Sequence, residues 1–229
     1  MKFSNHEQGS EAWLAERRGL ITASRFRDAL DTVIDVPAKQ AKVDKKTGEV
    51  IEPARPETRK PSFKSMLYAQ DVARERCGGT VFGQYVNAQM RYGTEQEPSA
   101  RIAYEVERGV MVSEVGFFKD ESERFGISTD GLVEDDGAVE IKCICSSDVL
   151  FTLLVDKDYS SFIHQIFAHH WMLDRKWVDL VIWTPDLAKR MHIVRFERDE
   201  EFIGMMEAKL LDFSRTVDSL TLKLKDALA

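Results

Sequence analysis

The 229-residue chain contains no apolar run approaching the ~18 residues of a membrane span, which excludes a helical membrane protein. It also lacks a basic-then-apolar opening, so the expectation is a cytoplasmic protein with no membrane partner. Cysteine is scarce. Cys77, Cys143 and Cys145 give an odd count with no zinc spacing, consistent with a reduced protein. Internal repeats and low-complexity segments are absent. An excess of basic charge is absent too, and a net charge of −7 argues against a passive nucleic-acid coat. What remains is ordinary globular composition, 43% hydrophobic, enough for a sizeable core in one large domain or two small ones.

The charge is unevenly placed. Residues 37–64 carry eight Lys/Arg against four acids, whereas residues 113–140 carry nine acids against Lys119 and Arg124. A phosphate-binding rim beside a cation-binding centre would give this split, and so, more weakly, would a random surface. Four of the six prolines fall in 35–62, where apolar periodicity is low. That segment reads as a long basic loop or β-excursion, either a salt-sensitive DNA tether or a solvated loop.

Elsewhere the periodicity is clear. Helices are expected over Ser10–Arg17 with Ser10 as N-cap, from Ser24 to about Leu30, over Ser62–Arg76, and over 159–173. Another runs to Arg108, starting at Thr94 through a Thr94-x-x-Glu97 capping box or at Pro98. A last helical segment begins near Asp199. Strands are expected near 110–118, 125–133, 138–144, 177–183 and 191–196. These elements describe a single α/β domain spanning 1–229, with a central mixed sheet flanked by helices.

The chemistry concentrates between two apolar, β-branched runs, Phe125–Val133 and Ala138–Ile144. They hold Asp130-Gly131, the acidic turn Glu134-Asp135-Asp136-Gly137 and Glu140-Ile141-Lys142. This is a hairpin pattern. Side chains alternate along a strand, so Val139, Ile141 and Cys143 share one face and Glu140 and Lys142 the other. With Asp135-Asp136 as a two-residue turn, Gly131 falls opposite Glu140 and Asp130 lies one step away. Carboxylates that close repel unless a cation sits between them. Oxygen ligands suit Mg²⁺, and the arrangement suits metal-dependent phosphodiester cleavage. The alternative is a surface hairpin with solvated charges, because a D-G-x(n)-E-x-K pattern also arises by chance.

Further segments flank the hairpin in a fixed order. Arg17-Arg18-Gly19-Leu20-Ile21-Thr22-Ala23-Ser24 and Tyr92-Gly93-Thr94-Glu95-Gln96-Glu97 precede it, and His164-Gln165-Ile166-Phe167-Ala168-His169-His170-Trp171 follows. Taken together, the chain resembles the phage lambda exonuclease family, the YqaJ-like viral recombinases of the PD-(D/E)xK nuclease superfamily. The resemblance runs from about Glu7 to about Glu201, apart from 35–62. It implies a restriction-endonuclease-like fold. It matches Asp130, Glu140 and Glu97 to metal-binding acids, Lys142 to the catalytic lysine and Gln165 to the glutamine on the following helix. Glu95 competes with Glu97, but the spacing to Gly93 and Ala100-Arg101 favours Glu97. Arg17, Thr22, Ser24 and Ser128 match positions that contact the DNA end, and the Ile141 carbonyl is an added metal ligand.

Two departures stand out. Asp148 replaces an expected basic residue, and Arg18, standing where the family can have an apolar one, is a phosphate-binding candidate that could compensate. Each assignment has an ordinary counterpart. Glu97 could be a capping acid, Gln165 and His169 a solvated helix face, Arg17 and Arg18 a helix C-terminal pair, and Ser24 an N-cap. Trp13 and Trp171 read as core, Cys143 and Cys145 on one strand face as buried thiols, and an iron–sulfur nuclease would need a fourth cysteine. The implied enzyme is a Mg²⁺-dependent 5′–3′ exonuclease of double-stranded DNA ends, with Mn²⁺ able to substitute and two ions about 4 Å apart. Mononucleotide products, a ring-shaped homotrimer and a single-strand annealing partner are implied as well. The competing readings are a structure-specific endonuclease on the same fold and a non-catalytic DNA-end-binding recombination accessory protein.

Overall fold

A computed structural model describes residues 1–6, 8–44, 47–48, 50–80 and 88–229. Glu7, at the start of the resemblance, and Lys45 and Lys46, within the basic segment, lie outside the described residues. In chain order the elements are β1 (Lys2–Ser4), α1 (Glu11–Arg17), β2 (Ile21–Thr22), a 3₁₀ turn (Ala23–Arg25), α2 (Phe26–Ala29), β3 (Thr32–Val36), β4 (Lys42–Val43), β5 (Val50–Glu52), β6 (Thr58–Pro61), α3 (Phe63–Arg76) and α4 (Ala88–Arg108). Then come β7 (Val112–Ser113), β8 (Phe117–Lys119), β9 (Phe125–Ser128), β10 (Gly131–Val133), β11 (Gly137–Cys143), α5 (Ser147–Leu154), α6 (Ile163–Leu173), β12 (Trp177–Trp183), β13 (Met191–Glu197) and α7 (Glu200–Leu228).

The expected mixed sheet is present, in the order β13-β12-β11-β10-β7. β11 and β12 run parallel, and the other neighbours are antiparallel. A second sheet has the order β1-β8-β9-β2. The run 125–133, expected as one strand, is therefore two strands in different sheets, with Thr129-Asp130 at the crossover. Gly131 makes the turn possible, because a Cβ there would stand 2.0 Å from Val112 Cγ1.

The hairpin register also differs from expectation. Gly131 pairs with Val139 and Val133 with Gly137, leaving 134–136 as the turn. Glu134 takes a left-handed φ of 50° to make that turn. Gly137 is drawn into the strand because the Trp177 indole packs where a Cβ would be, 2.2 Å away. Continued one step, this register sets Asp130 across from Glu140.

Alternation on the sheet sorts two apolar layers. Val139, Ile141, Val181 and Trp183 pack with Ala100 and Tyr104 of α4. On the other face, Val178, Leu180 and Ile182 pack with Ile166 of α6 and with Leu210 and Phe213 of α7. α7 is amphipathic, burying Ile203, Met206, Leu210, Phe213 and Val217 at helical spacing. Its Phe213 stacks on Tyr68 of α3 at 5.5 Å, and the Tyr68 hydroxyl accepts from the Thr22 amide.

Several local expectations fail for tertiary reasons. α4 begins at Ala88, so Thr94 is interior and its hydroxyl donates to the Met90 carbonyl; the capping box does not form. Ser24 lies inside the 3₁₀ turn and caps nothing. α5, too short to show a period, was not anticipated. The 35–62 excursion is a two-stranded ribbon, β3 with β6 and β4 with β5. Much of its basic charge is offset: Lys39 pairs with Glu52, Lys60 with Asp35, Arg59 with Glu57, and the neighbouring Lys64 with Asp28. That leaves Lys42 and Arg55 without an ion pair among its described residues.

α4 is tied to the sheet by a buried charge. Asp179 is fully buried and accepts from Arg195 at 2.7 and 2.8 Å and from the Tyr104 hydroxyl at 2.9 Å. Removing the carboxylate leaves the buried Tyr104 hydroxyl without its acceptor, while Arg195, 40% exposed, keeps access to water. Asp179→Ala should cost about 2 kcal/mol in urea unfolding. A loss below about 1 kcal/mol would assign the network no more than a surface value.

Candidate active site

Glu140 lies in mid-β11 at 1% exposure. Its Oε1 accepts from Lys142 Nζ at 2.6 Å and from Gln165 Nε2 at 2.6 Å, and Lys142 Nζ also donates to Gln165 Oε1 at 3.2 Å. Strand alternation puts Glu140 and Lys142 on the face that α6 covers, so Gln165 reaches both. His169, one turn further along α6, is fully buried beside them. Its Nε2 stands 3.5 Å from Glu140 Oε2. The stripe carrying Gln165 and His169 is thus an inward face and not the solvated one that polarity suggested.

Asp130 Oδ2 accepts the Ile141 amide at 2.6 Å. The amide and carbonyl of one strand residue project to the same edge, so the Ile141 carbonyl faces the Asp130 side as well. Glu97 arrives from α4, on the opposite face of the sheet. It is half-buried and bridged by Arg101 at 3.3 Å, whereas Glu95 is exposed. Arg101, itself buried, also pairs with Glu114.

The electrostatics follow from burial among like charges. Burial, then Glu140, pushes Asp130 up to about 7. Burial, then Asp130, pushes Glu97 up to about 7. Burial raises Glu140 as well, against the pull of Lys142. For Lys142, burial acts downward, but Glu140 and Asp130 outweigh it and hold the ammonium above its ordinary value. Burial lowers His169 to about 4 and raises the Cys143 thiol to about 12, which makes that thiol inert.

Three acids with heightened proton affinity, beside a backbone carbonyl, form a donor set that a hard divalent cation fits. They are not poised as a cage. Among the described residues, no group of three or more His, Cys, Asp or Glu stands in an arrangement that could hold a metal ion. As placed, the Ile141 amide takes Asp130 Oδ2, and Lys142 and Gln165 take Glu140 Oε1. Ligation by the expected acids requires those side chains to turn.

A second cluster adjoins the first. The Arg17 guanidinium stacks on Trp13 at 4.1 Å and approaches Ser24 Oγ at 3.3 Å and Thr22 Oγ1 at 3.5 Å. Trp13 Nε1 donates to Ser128 Oγ at 3.1 Å. The four expected end-contacting residues are therefore brought together, with Trp13 as their link. Arg17 and Arg18 line a cleft of about 290 Å³ with Thr22, Arg25 and Tyr68, while Trp13 and Glu97 line a neighbouring one of about 620 Å³. The helix N-terminus expected at Ser24 is only a 3₁₀ turn and a single α-turn, so side chains alone remain to hold a phosphate. Asp148 lies exposed in the first turn of α5 and accepts from Ser146 Oγ.

Comparison with protein families matches residues 12–175 to the YqaJ-like viral recombinase domain. The chain belongs to that family. Among solved structures, this YqaJ-like protein is 28% identical to an alkaline exonuclease (LHK-Exo) from Laribacter hongkongensis, covering 96% of this chain and 98% of that one with a TM-score of 0.75. LHK-Exo in complex with dAMP matches equally. A phage-related exonuclease from Haemophilus somnus 129PT shares the fold, at 16% identity, 90% and 96% coverage and a TM-score of 0.62. Comparison with curated protein sequences gives no match. The fold is restriction-endonuclease-like, and among the described residues no helix is long and apolar enough to cross a membrane.

Residue-level reasoning on the YqaJ-like chain missed His169, Arg101 and Trp13 as parts of these clusters. The first two sit four residues after Gln165 and Glu97, one turn along the same helix face, which was the available signal. The raised acids give a test. Asp130 and Glu97 bind protons in the folded protein where the unfolded chain has lost them. Their stabilisation is complete below the unfolded value of about 4 and disappears as pH rises through about 7. With EDTA present, the unfolding midpoint should fall from about pH 5 to about pH 8. Asp130→Asn should flatten that fall, and Mg²⁺ should restore the midpoint mainly at the higher pH. An equal fall in wild type and Asp130→Asn would clear Asp130 of the effect.

Proposed function

We propose that this YqaJ-like protein is a metal-dependent exonuclease that digests double-stranded DNA ends from 5′ to 3′ into mononucleotides, for phage-type recombination. The observation that carries the reading is the Glu140–Lys142–Gln165 cluster beside Asp130, in a chain alike over 96% of its length to an alkaline exonuclease. The mononucleotide dAMP bound to LHK-Exo supports such a product class here. Asp130, Glu140, Glu97 and the Ile141 carbonyl would hold Mg²⁺, or Mn²⁺ in its place, as one ion or two. A divalent cation there supplies Lewis acidity toward the scissile phosphate and activates water for attack.

The chain's own groups do the rest. Water attacks phosphorus and the P–O3′ bond breaks; the departing nucleotide keeps its 5′-phosphate and the shortened strand gains a new one. Lys142, held as an ammonium, suits neutralising the charge that grows on the phosphate oxygens better than abstracting a proton. Gln165 orients Glu140 and Lys142. Arg17, Thr22, Ser24 and Ser128 would grip the terminal phosphate, which each turnover regenerates, and exposed Arg18 extends the same wall. By family resemblance the protein works as a ring-shaped homotrimer with a single-strand annealing partner.

A linear duplex labelled at either 5′ or 3′ end, incubated with Mg²⁺ or with EDTA, tests the proposal. Mononucleotides should appear first from the 5′ label and only with metal, and a closed circle should stay intact. Lys142→Ala should lower turnover more than 10-fold, a loss above ~1.4 kcal/mol, with DNA-end binding kept. A variant retaining more would place Lys142 outside the chemistry. Arg17→Ala should weaken attack on 5′-phosphorylated ends selectively; equal loss on unphosphorylated ends would make Arg17 a general backbone contact.

A further inference from the structure

We propose that Arg101 is a positioning residue of this site: its guanidinium grips Glu97 with one nitrogen and Glu114 with another, and so holds the helix acid against the crossover beside Asp130. The inference rests on the nuclease reading above. Arg101 lies four residues after Glu97 on α4, and a long helical side chain covers the turn before its own Cα. Nη2 donates to Glu97 Oε1 at 3.3 Å, and Nη1 pairs with Glu114. A guanidinium is always charged and only donates, so the contact needs no particular pH or tautomer. No other hydrogen bond reaches Glu97 among the described residues, which leaves its second carboxylate oxygen uncommitted. Glu97 and Glu114 both line the cleft shared with Trp13.

Glu114 follows β7 in the connection to β8, where the chain passes from the five-stranded sheet to the four-stranded one. Asp130 sits where the chain passes back, between β9 and β10. β7 pairs with β10 through Ser113 and Leu132, and one further step along that register sets Glu114 across from Gly131, next to Asp130. The connection lies flush on the end of β1, since a Cβ at Gly116 would stand 2.0 Å from the Ser4 carbonyl oxygen. Glu105, one turn beyond Arg101 on α4, accepts the Val112 amide at 2.7 Å, so the helix is tied to this stretch twice. A glutamate left alone would swivel about its terminal torsion, which is broad and two-fold. An outer partner removes that freedom for metal-ligating side chains. Arg101, 9% exposed beneath the cleft wall, acts in this way through Glu97.

Charge and position predict opposite signs. Taken only as a nearby cation, Arg101 would repel a divalent ion, and its loss would tighten binding. As a positioning residue it aids binding, and its loss weakens it. Mn²⁺ binding to the full chain, without DNA, is read from the electron paramagnetic resonance of the free ion. Arg101→Met keeps the apolar stem and leaves acids that reach water, Glu114 exposed and Glu97 half-buried, so the fold should hold. It should bind Mn²⁺ about 10-fold more weakly than wild type. In a Glu97→Ala background the same change should cost less than about 2-fold, because nothing is left to position. Tighter or equal binding in Arg101→Met, or an equal loss without Glu97, would overturn the role while leaving the nuclease reading intact. If Arg101→Met does not fold, Glu114→Ala takes its place, with a loss of about 3-fold that again must vanish without Glu97. A wild-type protein that binds no Mn²⁺ would overturn the metal reading itself, and this inference with it.

Discussion

Glu140 is an acid at 1% exposure in the middle of a sheet, and the structure around it answers that burial. An isolated ion there would cost several kcal/mol, so it must be paired, hydrogen-bonded or protonated. Lys142 and Gln165 meet one oxygen, while the other, 3.5 Å from His169 Nε2, has no hydrogen-bond partner among the described residues. Burial makes the remaining acids costly to ionise too, and with Glu140 beside Asp130 and Asp130 beside Glu97 both rise to about 7. Such a site stores affinity for positive charge. It is also too anionic, without a cation, to welcome a phosphate.

The acids come from three parts of the architecture. Glu140 sits on the strand face under α6, and Glu97 comes from α4 on the other face. Asp130 occupies the step where the chain leaves one sheet for the next. The Asp179–Arg195–Tyr104 network pins α4 to the sheet, so it bears on the placement of Glu97 although it lies outside the cluster. α7 has a similar indirect role: it stacks Phe213 on Tyr68, which holds the Thr22 amide beside the Arg17 cluster.

Trp13 illustrates how packing and recognition share one side chain. It is buried against Phe117, as a core residue should be. Its indole N–H nonetheless meets Ser128, and its face carries Arg17. Because Ser128 accepts from Trp13, its own hydrogen is free to point to a ligand. The ribbon shows the converse. Its charge allowed either a DNA tether or a solvated loop, and in space acids on the same ribbon meet much of it.

Much that depends on local period was legible without the fold. Ser10 caps α1, the helical spacing from Ser62 marks α3, Glu140 and Lys142 share a strand face, and the spacing of Phe202 to Leu224 marks α7. The order of the motifs placed the chain in its family. Contacts distant in sequence decided the rest. Trp177 over Gly137 moved the hairpin by one residue, and Val112 over Gly131 broke one strand into two. Packing of α6 against the sheet turned His169 from a surface residue into a buried one. A one-dimensional pattern records which side chains share a face; only the packed structure decides which face is buried, and against what.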